Sequence, residues 1–501
     1  MKYIGALDQG TTSTRFIIFN ETGAIVSSHQ IEHTQYYPKP GWVEHDPMEI
    51  WHNTERCIST ALRRAKIKGS DLAGIGITNQ RETIVAFERK SGRARYHALV
   101  WQDLRGSELI STLERQHGND WLQEKSGLLF SPYFSASKIS WLLENVEGLR
   151  EDAERGEVVF GTIDTWLIYN LSGRECFVTD VTNASRYLLM NIDTLKWDDE
   201  LLELFAIPKQ ALPEIVPSSG MVYTHSKADS VVGAAVPVCG ILGDQQAALF
   251  GQACFTEGAA KSTYGTGCFL LVNTGTEAKR SREGLLTTVA YQKEGEEAVY
   301  ALEGSVAVAG SLVQWARDSL KLVESAQELD FEAESVADCG DVYIVPAFSG
   351  LFAPYWRSDA RGIIAGLTGY ATRAHICRAI LESTAFQAWE IFAGIERDSG
   401  IPLTELKVDG GMTNSAPLMA FQADLLRVPV IRPSVAETTA LGAAYAAGLT
   451  VGVWESLDEL SEQWKEDRRW EATMDLATRD QKIVQWKKAV DRTLGWIEDE
   501  E

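Results

Sequence analysis

The chain has 501 residues, and its 70 acidic side chains outnumber 47 basic ones, for a formal charge of −23. That excess excludes a broad phosphate-tracking surface, because a nucleic-acid footprint needs clustered Lys and Arg, yet it leaves room for a small anionic ligand. With 45% hydrophobic and 23% charged residues, the composition is that of a folded globular protein, and the length predicts two large domains or about three smaller ones.

The first residues read at once as a strand, Met1-Lys2-Tyr3-Ile4-Gly5-Ala6-Leu7-Asp8, without the cationic and apolar succession of a signal peptide. Two more extended runs, TRFIIFN and IVSSHQIE, follow Gly10-Thr11-Thr12 and Glu21-Thr22-Gly23. His29 and His33 are four apart in this extended stretch, so about 13 Å separates them and they cannot share a metal. Asp46-Pro47-Met48-Glu49 announces the first helix, with an N-cap aspartate, a first-turn proline and a glutamate three residues on. Trp51, Ile58, Ala61, Leu62 and Ala65 then recur at helical spacing, and LAGIGIT reads as a buried strand.

Near the middle, Ala260 to Gly267 followed by Cys268 to Asn273 repeats the opening: a strand, a Gly-Thr turn and an apolar strand ending in Asn. The echo predicts an internal duplication. Downstream, DVYIVPAF, a helix from about Arg373 to Arg397, LTELKVDGG, a helix from about Ala416 to Leu426 and VPVIRP alternate as an α/β domain does. Thr438 to Trp454 is uncharged but too short to cross a membrane, and reads as a buried helix. No linker divides the chain; a boundary near residue 250, giving 1–250 and 251–501, rests on the start of the second hairpin. The expected architecture is two similar α/β domains facing a cleft. Seven scattered cysteines without a C-x-x-C pair predict neither zinc nor a redox disulfide and suit a reducing compartment. The tail from Trp496 to Glu501 carries no organelle address.

Asp8-Gln9-Gly10-Thr11-Thr12-Ser13-Thr14 joins two apolar strands through small hydroxylated residues, which let backbone amides and hydroxyls approach a phosphate. The aspartate offers a hard oxygen to Mg²⁺, through retained waters. The alternative is a plain polar turn. Tyr264-Gly265-Thr266-Gly267 repeating the device, and Asp409-Gly410-Gly411 ending a later strand, favour the phosphate reading: one loop per domain would place a nucleotide between them. No Walker loop occurs. Asp244, after the apolar run Ile241-Leu242-Gly243, suits either a helix cap or the base that accepts a hydroxyl proton in phosphoryl transfer. Gln80-Arg81-Glu82 and Trp101-Gln102-Asp103-Leu104-Arg105 follow apolar runs. Taken alone, Arg81 and Glu82 read as a solvated surface pair worth ~0–1 kcal/mol. The alternative is a polyol site, with an aromatic face against its C–H edge.

The ordered series DQGTTSTRFIIFN, GWVEHDP, TNQRET, FGTIDTWLIY, VTDVTNASR, GDQQAALFGQ, TYGTGCFLLVNTG, GLLTT, YALEG, PAFSGL, VDGGMTNS and ETTALGAAYAAG resembles the FGGY carbohydrate kinases of the actin-like ATPase superfamily over essentially the full length. The resemblance implies two actin-like (ribonuclease H-like) α/β domains, with ATP and Mg²⁺ used to phosphorylate glycerol. It assigns Thr11, Thr12, Ser13 and Arg15 to the first phosphate hairpin, Thr266 to the second, and Gly310, Gln314, Gly411 and Ser415 to the nucleotide. Arg81, Glu82, Trp101, Tyr133, Asp244, Gln245 and Phe269 match the glycerol pocket, with Asp244 as base and Asp8 with Asp244 holding Mg²⁺ mostly through water. Arg81 and Glu82 thereby turn from a surface pair into ligand groups. Gly106, Ser262 and Arg357-Ser358 depart from the usual Thr, Asn and Asp-Pro. Some bacterial members bind fructose 1,6-bisphosphate through a Gly-Gly loop with an arginine. Here Val231 to Gly243 carries no basic residue, so inhibition by that route is expected to be absent. The resemblance further implies a cytoplasmic homodimer or homotetramer. A kinase of a larger polyol or ketose and an actin-like ATPase are the rival readings.

Overall fold

Tyr3–Gln9 (β1), Ser13–Asn20 (β2) and Ile25–Glu32 (β3) pair antiparallel in sequence order; the first two are buried on both faces, and the third is the half-exposed edge. This is the computed structural model of the chain, and it describes residues 2–348, 350–357 and 359–497. Met1 of the first predicted strand, Ser349 of PAFSGL, the departure at Ser358 and the tail residues 498–501 lie outside the described residues. Helix Pro47–Ala65 (α1) starts as expected, with the Asp46 carboxylate accepting the Met48 amide at 2.8 Å. Glu49 does not close a capping box; it accepts the amide and hydroxyl of Thr34, two donors that the end of β3 brings within 3.2 Å.

Leu72–Asn79 (β4) adds parallel to β1, Thr224–His225 (β5) forms the far edge, and Pro237–Gly243 (β6) lies parallel to β4, for a sheet of order β5-β6-β4-β1-β2-β3. Ser135–Asn145 (α2) belongs to an insertion between β4 and β6, and Asp244–Gly251 (α3) continues directly from β6.

The second half repeats this plan. Ala260–Tyr264 (β7) and Cys268–Gly275 (β8) form the second hairpin, followed by Leu286–Tyr291 (β9), Val299–Val306 (β10), Leu406–Asp409 (β11), Val430–Pro433 (β12) and Glu466–Trp470 (β13). Their order is β9-β10-β8-β7-β11-β12-β13. β7 pairs antiparallel with β8 and parallel with β11, as β1 does with β2 and β4, so the duplication legible in the two hairpins extends to five strands of each sheet. The helices are Gly310–Asp318 (α4), Arg373–Ser399 (α5), Ala416–Leu426 (α6) and Thr438–Thr450 (α7). α5 runs two residues past the expected end, to Gly400 at φ 70.

α7 is to β12 what α3 is to β6, and these equivalent helices lie against each other between the sheets. Their approach is so close that a Cβ on Gly442 would stand 1.8 Å from the Ala247 carbonyl oxygen. Four cores result. Cys57 and Cys176 lie in that of the first sheet, Cys239 and Cys254 in the α3–α7 layer, and Cys268, Cys339 and Cys377 in that of the second sheet. A further core sits under α2. All seven thiols are free and buried. Among the described residues no helix is long and apolar enough to cross a membrane.

Candidate active site

Strand register brings Asp8 opposite Arg15 across the first hairpin, with their side chains 3.4 Å apart. The other end of the Arg15 guanidinium pairs with Glu437 at the head of α7. Burial raises the Asp8 carboxyl to about 6; Arg15 opposes the rise, and Glu437 and Asp244 add to it. The Gly10 amide donates to the Ser13 carbonyl at 2.9 Å and closes the turn, leaving Thr12 exposed at its tip. Thr11 accepts the Trp101 indole N–H at 2.9 Å, and Gln30 donates to the Ser13 hydroxyl at 2.9 Å.

Gln80-Arg81-Glu82 follows β4, tied to β1 by the Gln80 amide donating to Gln9 at 3.0 Å. The surface-pair reading fails here: Arg81 is 2% and Glu82 1% exposed. Arg81 is clamped by Glu303 of β10, its two Nη groups donating to the carboxylate at 2.6 and 2.8 Å, while its Nε lies 3.2 Å from Asp244. A second guanidinium, Arg186, follows the short helix Val181–Ala184 that Asp180 caps. It donates from Nε to Glu82 at 2.7 Å and from Nη2 to Glu303 at 3.2 Å. Burial would raise the Glu303 carboxyl, but Arg186 and Arg81 overcome it and hold the group at about 2. Buried charges survive only in such paired arrays, since removing one partner leaves an ion without solvent. Glu82 itself sits at φ 62, a strained backbone for a non-glycine residue, steadied by the Ser135 hydroxyl donating to its carbonyl at 2.9 Å.

The rings of Trp101 and Tyr133 meet edge to face at 5.5 Å beside this array. Burial pushes the Tyr133 phenol above its ordinary range, so it stays a neutral donor. Lys138 on α2 fixes the Tyr133 segment by donating to the carbonyls of Pro132, Tyr133 and Phe134. Asp244 heads α3, where Gly243 is the capping residue; its carboxylate takes the Gln245 amide at 2.7 Å and stays 30% exposed. Lys261 on β7 donates to the Gln245 side-chain oxygen, to Thr263 at 3.0 Å and to the Phe269 carbonyl at 3.3 Å, joining the second hairpin to the head of α3. Burial lowers the Lys261 ammonium to about 8 despite Asp409, Asp244 and Glu303.

Thr266, Gly310, Gln314, Gly411 and Ser415 line one cavity of about 390 Å³ beyond the second hairpin. The Gly310 amide donates to the Gly265 carbonyl at 3.0 Å, and a Cβ there would stand 2.6 Å from that oxygen. A Cβ on Gly411 would meet nothing within 4 Å, so its hydrogen leaves open space for a ligand. Ser415 caps α6 and donates to Asp330 at 2.6 Å. Of the departures, Gly106 is explained by packing: a Cβ there would stand 2.6 Å from that of Ser137. Arg186, Glu303, Lys261 and Lys138 are absent from the sequence-based site. The signal for Glu303 and Arg186 was a lone charge ending or interrupting an otherwise apolar or small-residue stretch, YALEG and VTNASR.

Domain models described as the N-terminal and C-terminal domains of the FGGY family of carbohydrate kinases match residues 3–251 and 260–451. The chain is 56% identical over 502 residues to a glycerol kinase of Clavibacter michiganensis subsp. michiganensis, covering 100% of this chain and 99% of that one. It is 53% identical to a glycerol kinase of Roseiflexus sp. (strain RS-1), covering 99% and 100%. The Plasmodium falciparum glycerol kinase structure with ADP superposes with a TM-score of 0.94 at 42% identity over 99% of each chain. The xylulose kinase of Lactobacillus acidophilus shares the fold at 21% identity and a TM-score of 0.87, covering 98% of this chain and 97% of that one. With both domains of the family matched in order and full-length relatives more than half identical, the chain belongs to the FGGY family of carbohydrate kinases.

Proposed function

We propose that the protein transfers the γ-phosphoryl group of ATP to a terminal hydroxyl of glycerol, giving sn-glycerol 3-phosphate and ADP. The observation that carries this reading is the juxtaposition of Arg81, Glu82 and Asp244 with Trp101 and Tyr133 next to the first hairpin, a cluster of ionic and aromatic groups. Relatives named as glycerol kinases at 53–56% identity support the choice of acceptor.

In the proposed step Asp244 accepts the hydroxyl proton as that oxygen attacks the γ-phosphorus in line and the bond to the ADP oxygen breaks. Arg81 Nε holds the Asp244 carboxylate in place, and Gln245, its carbonyl oxygen committed to Lys261, turns its NH₂ end toward the acceptor. Backbone amides and hydroxyls of Thr11, Thr12, Ser13 and Thr266 meet the charge of the transferring group, where most catalysis of this reaction must arise. Asp8 and Asp244 suit Mg²⁺: a buried carboxyl raised to about 6 by burial and by nearby carboxylates is relieved by a cation. When bound, Mg²⁺ would supply neutralisation of the β- and γ-phosphate oxygens. A three-carbon triol has little surface, so charge-assisted hydrogen bonds decide specificity.

ADP release measured across a panel of polyols and ketoses tests the reading, with glycerol expected to give the highest kcat/KM. Preference for a five-carbon acceptor would replace it with the larger-sugar reading, and ATP turnover indifferent to every acceptor would replace it with the actin-like ATPase.

A further inference from the structure

The proposed acceptor site is built on an ionic array that no single domain contains. Arg81, Glu82 and Arg186 come from the first domain and Glu303 from the second sheet, and all four are at most 2% exposed. Glu303 takes both Nη groups of Arg81 and one of Arg186. Arg81 Nε also lies 3.2 Å from Asp244 and 3.8 Å from Glu82, Arg81 Nη1 donates to Gln246 at 3.2 Å, and Arg186 Nε pairs with Glu82. Within this array, Nη1 of Arg186 is the one described side-chain atom left buried without a hydrogen-bond partner. That guanidinium lies over the ring of Tyr133, 5.7 Å from its centroid.

Counting the third cation, Lys261, which contacts Gln245, the cations Arg81, Arg186 and Lys261 face the anions Glu82, Asp244 and Glu303. A neutral triol can exchange hydrogen bonds with such a balanced array. A carboxylate brought into it must shed its water without an uncompensated cation to receive it, and faces Asp244 and Glu82 as well.

We propose that Glu303, which by its position need not touch the acceptor, makes the site refuse anionic three-carbon acids by supplying the carboxylate that completes the charge balance of Arg81, Arg186 and Lys261. This rests on the glycerol reading. Removing the charge of Glu303 while keeping its shape frees one guanidinium, and Arg186, with Nη1 already free and Nη2 released, is the group that then accepts a carboxylate. Glycerate is the matching probe, because it keeps the glycerol skeleton and replaces one CH₂OH by a carboxylate. Glyceraldehyde is its neutral control.

The test is inhibition of glycerol phosphorylation by D- and L-glycerate, expressed as the glycerate inhibition constant divided by the glycerol KM, which normalises for general damage to the site. E303Q should lower this ratio about tenfold or more, the worth of one charge-assisted hydrogen-bonded pair, with no matching change for glyceraldehyde. R186Q should move it the other way, E303D should leave it near the wild-type value even if kcat falls, and the double variant R186Q/E303Q should return it toward wild type. If E303Q does not fold, as judged by its melt and by ADP binding, the opposite shift in R186Q and the retention in E303D carry the decision. An unchanged ratio in E303Q or R186Q, or a double variant more permissive than E303Q, overturns the proposal. Phosphorylation of glycerol by the unmodified protein is read separately and decides only the underlying reading.

Discussion

At the scale of single residues, the proposed chemistry concentrates on two aspartates that differ in their surroundings. Asp244 is partly open and touches Arg81, whereas Asp8 is 4% exposed and sits among carboxylates. Replacing Asp244 by Asn should lower kcat by about 10²–10⁴-fold, the usual worth of a positioned general base, while ADP binding measured by calorimetry stays within a few-fold. Turnover close to wild type would move proton acceptance to another group. For Asp8 the sign follows from its raised pKa. A carboxyl whose folded value is about 6 against an ordinary 3.8 binds its proton more tightly when folded, so its contribution to stability is full below pH 4 and is lost as pH rises through 6. The unliganded protein should therefore lose at most about 3 kcal/mol between pH 4 and 7 that D8N does not lose, as read by urea denaturation. Mg²⁺ with ADP should reverse that loss in the wild type and not in D8N. Arg81 and Glu82 show where reading residues one by one stops. Their local sequence is that of an exposed turn, and their charges are met by Glu303, 222 residues from Arg81, and Arg186, 104 residues from Glu82. The hairpin residues were legible because the reason for them is local: small side chains and hydroxyls in a tight turn. The arginine–glutamate array was not, because each member is explained only by partners that folding supplies.

At the scale of elements, the unusual object is the α3–α7 pair. The uncharged stretch from Thr438 announced a buried helix, and α7 is one. What its composition did not announce is that Gly442 makes an interdomain contact. Gly442 lets the α7 backbone rest on that of α3, and Gly251 does the reverse, a Cβ there standing 2.0 Å from the Thr438 carbonyl oxygen. These obstacles are backbone atoms, which cannot rotate aside. G442A should cost about 3 kcal/mol or more, at or beyond the upper end of overpacking effects, in a denaturation experiment. Because Asp244 heads α3 and Glu437 heads α7, the same variant should lower kcat without removing any polar group. A variant as stable and active as the wild type would mean that the helices can separate freely.

At the scale of the whole molecule, two sheets of one plan face each other across helices that both contribute. The duplication was readable from two hairpins, but its extension to five strands was not, because the intervening segments differ in length and the insertion carrying α2 has no counterpart in the hairpin echo. The net charge of −23 gives no long-range attraction for a polyanionic nucleotide, so its capture must be local. The same lack of cations between Val231 and Gly243 leads to the expectation that low-millimolar fructose 1,6-bisphosphate leaves activity unchanged; a clear fall in initial rate would disprove it. The cysteines described above have a practical consequence. Burial lifts Cys57, Cys176 and Cys377 to about 11 and Cys239, Cys254 and Cys339 to about 12, so in the folded chain less than about one thiol in a thousand is a thiolate near neutral pH. Each layer of the molecule thus carries its own silent clock. Under pulse alkylation in mild urea, the order in which Cys57 and Cys176, then Cys239 and Cys254, then Cys268, Cys339 and Cys377 begin to react would give the order in which the first sheet, the shared helices and the second sheet come apart. Simultaneous labelling would mean that they open as one.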